Sequence, residues 1–221
     1  CHLIKHSNMK KVLSQEDLDN LWKEVSVMSG DEGEKKYKKY CFDESGILVA
    51  TYPSDQNIID VKGNEMELDG DFGYLIISGN VRKGAFTGSA LNKGVFEFLA
   101  DHTNVEWAYC YKKDSTGGVL MTSNEEHQTD LLDNREFYAL NGYNCYAHNH
   151  SQTEKGYEEK FRQYNSYPSQ YDIDQMKKQG FQYAEIYNES DGNYYSFRDG
   201  SNVQDEELAK RIFGKGGFTF E

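Results

Sequence analysis

The stretch Cys145-Tyr146-Ala147-His148-Asn149-His150 constrains the chain more than any other. Its apolar lead into His-x-His reads as the end of a β-strand, and on a strand alternate side chains point to the same face. His148 and His150 are therefore expected side by side, with imidazoles close enough to share one ion. Two histidines do not complete a hydrolytic metal site, because a catalytic zinc takes three protein ligands and leaves a fourth position for water. A third ligand has to come from elsewhere in the chain. The bland alternative is two histidines packed or hydrogen-bonded in a core.

Downstream, Pro168-Ser169-Gln170-Tyr171-Asp172 sets Ser169 at a helix N-cap and Asp172 one turn inside, where a carboxylate can face back toward a strand end. The same spacing makes a capping box that needs no metal. Glu154, Glu158 and Asp174 are further candidates for the third ligand. Upstream, Glu106 interrupts an apolar and aromatic segment, Val105 to Lys112, that reads as a strand. An unpaired carboxylate is costly to bury, so Glu106 is expected at an exposed edge, in a pair, or near a cation. His127 reads as a loop residue, and His2, His6 and His102 have no partners at useful spacing.

The elements around these residues alternate in type. A capped amphipathic helix is expected from Ser14 to about Gly30, followed by a charged run to Lys39 and then short strands forming a β-meander up to residue 80. From about Val81 the order is helix (90–102), a strand hairpin (105–122), a short helix (133–140), the His-x-His strand, a polar stretch over 151–168, a helix ending at Gly180, a last hairpin about Asp191-Gly192, and a tail helix (205–213). This predicts an α+β chain of two parts, 1–80 and 81–221.

Charge and cysteine usage narrow the function classes. Lys and Arg total 24 against 37 Asp and Glu, a formal net charge of -13, which repels phosphate backbones and excludes nucleic acid as the expected partner. A protein or peptide target fits better. No apolar run is long enough to span a bilayer, so no membrane insertion is expected. The four cysteines make no C-x-x-C pair and no disulfide framework. Cys1 in place of an initiator Met is read as a cut point in a longer polypeptide, with a lipid-modified Cys1 as the sharper alternative.

Taken in order, Glu106, His148-Asn149-His150 and Ser169-Gln170-Tyr171-Asp172 resemble the motif of the JAMM (JAB1/MPN+) metalloproteases, over about Val81 to Phe197. The Asn- and Tyr-rich surroundings resemble more narrowly the JAB-like toxin domains of bacterial polymorphic and Rhs-type toxins. The resemblance implies a JAB/MPN-like (cytidine-deaminase-like) mixed sheet flanked by helices. It implies Zn2+ held by His148, His150 and Asp172, with Glu106 as general acid/base and Ser169 stabilising the oxyanion. It also implies a secreted or delivered bacterial effector with a protein or peptide substrate, and leaves room for an immunity protein. Two departures stand out: Ser151 replaces the Pro that usually follows the second histidine, and residues 151–168 replace a short spacer. That insertion is read as a lid, a substrate-selecting loop or a tolerated surface insertion. A catalytically inactive JAB-like protein-binding module is the competing reading.

Overall fold

The strand Asn57–Val61 alternates buried and half-buried residues, whereas Val119–Met121 and Cys145–Asn149 are buried throughout, as strands covered on both faces are. The structure, a computed structural model, describes residues 37–125, 129, 131–150, 159–197 and 203–214. The helix expected from Ser14 to Gly30 lies outside the described residues.

The elements are β1 (Tyr37–Phe42), β2 (Leu48–Ser54), β3 (Asn57–Val61), β4 (Asn64–Leu68), β5 (Gly73–Ile77), β6 (Asn80–Thr87), α1 (Lys93–His102), β7 (Ala108–Tyr111), β8 (Val119–Met121), α2 (Arg135–Leu140), β9 (Cys145–Asn149), α3 (Glu159–Asn165), α4 (Gln170–Gln179), β10 (Tyr183–Asn188), β11 (Asn193–Phe197) and α5 (Glu206–Phe213). A four-stranded sheet has the order β2-β1-β3-β4, and a seven-stranded sheet has the order β11-β10-β9-β7-β8-β6-β5. The pairs β1–β3 and β9–β10 are parallel and the others antiparallel, so both sheets are mixed and the class is α+β.

The large sheet is buried on both faces, and strand alternation decides which residue goes where. Trp107, Tyr109, Ala147 and Tyr187 point to one face, where with Phe86 of β6 they pack against Phe96 of α1 and Phe42 of the small sheet. Ala108, Cys110, Tyr146 and Ile186 point to the other, packing with Tyr138 of α2 and Ile173 and Met176 of α4. The position of His148, two residues after Tyr146, is thereby fixed on the α4 side of the sheet.

The expected meander is corrected in topology. A meander would pair β2 with β3, whereas β1 lies between them and runs parallel to β3. Tyr40 and Phe42 of β1 and Ile59 and Val61 of β3 are all buried, while β2 exposes Val49 and Tyr52. The two strands with a full apolar face take the centre and β2 is left at the edge. β5 joins the other sheet, pairing with β6. Residue 80 opens β6 of that hairpin, and one core takes side chains from both sides of it, Tyr40 and Phe42 with Phe86 and Trp107.

Parallel β9 and β10 require a crossover, and α3 and α4 supply it. α4 is bounded by chemistry legible in the sequence: the Ser169 capping box at its start and Gly180 at its end, in the left-handed conformation at φ 80°. An added Cβ at Gly180 would stand 3.0 Å from Arg135 Nε, so both the backbone and the space favour glycine there.

Candidate metal centre

β9 ends at Asn149, so His148 is still in the sheet while His150 has just left it. Both are buried, at 2% and 9% exposure. Their Nε2 atoms are 3.0 Å apart. Tyr146 stacks on the His148 ring at 5.1 Å between centroids and 10° between planes. His150 Nδ1 donates to the Asn165 carbonyl at 2.8 Å, since a carbonyl can only accept. That bond fixes the tautomer and turns Nε2 toward His148.

The third group is Asp172, in the first turn of α4. Its Oδ1 is 3.3 Å from His148 Nε2 and its Oδ2 is 3.7 Å from His150 Nε2. The ligand atoms of the three residues all lie within 4.8 Å of one another, the group of this kind found among the described residues. Oδ2 also accepts the Ser169 N–H and O–H, each at 2.7 Å. The capping-box carboxylate and the carboxylate that faces the histidines, alternatives in the sequence, are thus the same side chain.

The other candidates separate cleanly. Asp174 is exposed and accepts from Gln170 Nε2 at 2.9 Å, away from the cluster. His102 sits in the last turn of α1 with Nδ1 bound to the Phe98 carbonyl at 2.7 Å. Glu154, Glu158, His127, His2 and His6 lie outside the described residues.

Glu106 is corrected in placement: it precedes β7 and is not within it. Register explains why. Ala108 pairs with His148, but the carbonyl of Asn149 makes no ladder bond to Trp107 N–H; the Asn149 side chain accepts that bond instead, at 2.7 Å. Glu106 itself lines the same cavity as the cluster, of about 330 Å³, together with Ser169, Tyr146 and Tyr171. Burial raises its carboxyl to about 7, with nearby Asp172 adding to the rise and His150 opposing it. Burial lowers His148. It also works against a charged His150, yet the hydrogen-bonding Asp172, Glu106 and the Asn165 carbonyl lift that ring to about 9. Asp172 is held well below the usual carboxylate range by the two histidines, against the cost of its burial.

The residues present fit a divalent ion. Two Nε2 atoms and a carboxylate oxygen face one another in a buried pocket, where only a shared proton or a cation can balance them. His148 Nδ1 is buried with no hydrogen-bond partner among the described residues, so nothing draws that ring away from the cluster. The Asn165 carbonyl behind His150 is the orienting group that metal-ligating imidazoles characteristically have.

Sequence reasoning missed Asn165, because a backbone carbonyl carries no residue-type signal. It also missed the lining residues Thr129 and Gln204, which reach the cavity from distant segments. Residues 86–177 match the family model described as JAB-like toxin 1, a stretch running from Phe86 in β6 to Lys177 in α4 and holding all five site residues. No curated protein and no solved structure matches the chain.

Proposed function

We propose that residues 86–177, which match the family model described as JAB-like toxin 1, form a JAB-like toxin domain, and that the chain is a zinc-dependent peptidase or isopeptidase acting on a protein target, as the effector end of a delivered bacterial toxin. One observation carries this reading: His148, His150 and Asp172 converge within 4.8 Å, in a cavity that also receives Glu106.

His148, His150 and Asp172 would hold the ion. When bound, zinc would polarise a scissile carbonyl and bring the proton of a water molecule within reach of a weak base. Glu106, with its carboxyl near 7, suits proton transfer at neutral pH: it takes a proton from the attacking water and returns it to the leaving amine. Ser169 Oγ lies against Asp172 Oδ2, and a rotation of its hydroxyl would let it donate to the developing oxyanion. Tyr171 and Tyr146 give the cavity apolar walls with polar tips, suited to a peptide segment. The net charge of -13 favours a basic or neutral target through long-range steering.

The competing reading, a metal-free binding module, draws support from the way Asp172, Ser169 and both histidines satisfy one another with hydrogen bonds. Metal analysis separates the two. Purified protein should carry about one zinc per chain, lost in His148→Ala; protein that takes up no zinc at all excludes the enzyme. Glu106→Gln should keep the ion and abolish cleavage, read as the disappearance of new protein termini in cells expressing the chain.

A further inference from the structure

Asn149, the middle residue of His-x-His, points away from the metal cluster, toward the opposite face of the sheet. It is fully buried. Its carboxamide oxygen accepts the Trp107 N–H at 2.7 Å, and its nitrogen donates to the Val105 carbonyl at 3.3 Å and to the Glu189 carboxylate. The donors and acceptors fix the orientation of the amide, because an N–H needs the oxygen and two carbonyl-type oxygens need the nitrogen. The two backbone partners flank Glu106 on either side.

Glu106 has its own backbone tied in the other direction. Its N–H donates to the Glu125 carbonyl at 3.1 Å and its carbonyl accepts from Thr129 Oγ1 at 2.5 Å. With residues 105 and 107 held toward β9 and residue 106 held by Glu125 and Thr129, the Glu106 side chain is left one direction, into the cavity. The Asn149 N–H still donates to the Trp107 carbonyl at 3.3 Å, and the carboxamide takes the Trp107 N–H and the Val105 carbonyl beyond it, so the segment opposite stays held while His150 reaches the Asn165 carbonyl.

We propose that Asn149 is a positioning residue for Glu106, bracketing it through the Val105 carbonyl and the Trp107 N–H and locking that bracket to the β10–β11 turn through Glu189. The inference rests on Glu106 being the proton-transfer group. An alanine at 149 would leave the Trp107 N–H without its acceptor and let the 105–107 segment shift toward water, while touching no metal-facing atom.

The test follows the Glu106 carboxyl carbon by 13C NMR in metal-free glutamate-labelled protein, with zinc uptake measured separately, assigned by its absence in Glu106→Gln. Asn149→Ala should keep the wild-type zinc content, lower the Glu106 midpoint by about one pH unit or more toward the ordinary glutamate range, and reduce kcat about tenfold or more with KM unchanged. An unchanged midpoint, or loss of zinc with the midpoint unmoved, overturns the bracket. Asn149→Asp combined with Glu189→Gln guards against poor folding of the alanine variant, because aspartate still accepts from Trp107 and can accept from the new amide at 189. That double variant should bring the midpoint back toward wild type where Asn149→Asp alone does not, and failure to do so counts against the bracket. If Glu106→Gln still cleaves, the peptidase reading fails whatever the 149 variants do; if it is inactive and Asn149→Ala matches wild type, only the bracket fails.

Discussion

Asp172 accepts both the N–H and the O–H of Ser169 through Oδ2, each at 2.7 Å, while its Oδ1 stands 3.3 Å from His148 Nε2. One carboxylate closes the first turn of α4 and faces the two histidines. Asp172→Ala should therefore lose zinc and about 1 kcal/mol of helix capping together. Asp172→Asn keeps an acceptor for the cap but not the charge, so zinc affinity should fall by roughly tenfold or more with the melting temperature of the metal-free protein nearly kept. Full zinc occupancy in Asp172→Ala would remove this residue from the ligand set.

Zinc uptake should release a proton. In the metal-free protein His150 is lifted to about 9, so at pH 7 it carries a proton that a ligand nitrogen cannot keep. Calorimetry in buffers of different ionisation enthalpy should show about one proton released per ion at pH 7, and apparent affinity should fall roughly tenfold per pH unit below 9. Binding heats independent of buffer would contradict a His150 ligand.

Glu106 makes stability depend on pH in a definite direction. Its folded carboxyl titrates at about 7 against an ordinary 4.5, so the protonated form is favoured by folding. That contribution is complete below 4.5 and is lost as the pH rises through 7. The metal-free wild type should thus lose about 1–3 kcal/mol between pH 4.5 and 8 that Glu106→Gln does not lose. Urea midpoints of the two proteins should meet at the acid end and separate at pH 8, with the variant more stable.

The α3 helix reaches the site through its last residue. Tyr164, beside Asn165, packs in a small cluster with Leu208 and Ala209 of α5, and its ring lies 5.9 Å from that of Phe213. Tyr164→Ala loosens that anchor and with it the Asn165 carbonyl that orients His150. Zinc affinity should drop about 10-fold to 100-fold with all three ligands intact, measurable by chelator competition. An unchanged affinity would mean that the carbonyl is held by other means.

The site was largely legible and the topology around it less so. Ser169 and Gly180 announce both ends of α4, and strand alternation puts His148 and His150 on one side of the chain, because caps and periodicity are local signals; the Asn165 carbonyl that turns the His150 ring is not one. The neighbour of β1 is not local: nothing in Tyr37–Phe42 says that β3, rather than a further hairpin strand, will lie beside it, and only the shared burial of Tyr40, Phe42, Ile59 and Val61 decides it. Glu106 was placed on a strand because its neighbours are apolar. Those neighbours are indeed buried, but Asn149 takes the ladder bond that would have extended β7 to it. Reading 151–168 as a polar insertion, whether lid, substrate-selecting loop or tolerated surface insertion, leaves out α3, whose polar surface hides the few aromatic contacts it makes with α5.

The carboxylate that caps α4 is also the one that faces the histidines, so an unwound chain possesses no chelating site. His148 lies at the end of β9 and His150 just past it, and Asp172 is aimed at them only once α4 has taken its first turn. Under the proposed function, unfolding would cost the chain its ion, and winding the first turn of α4 and gaining the metal should be one coupled event.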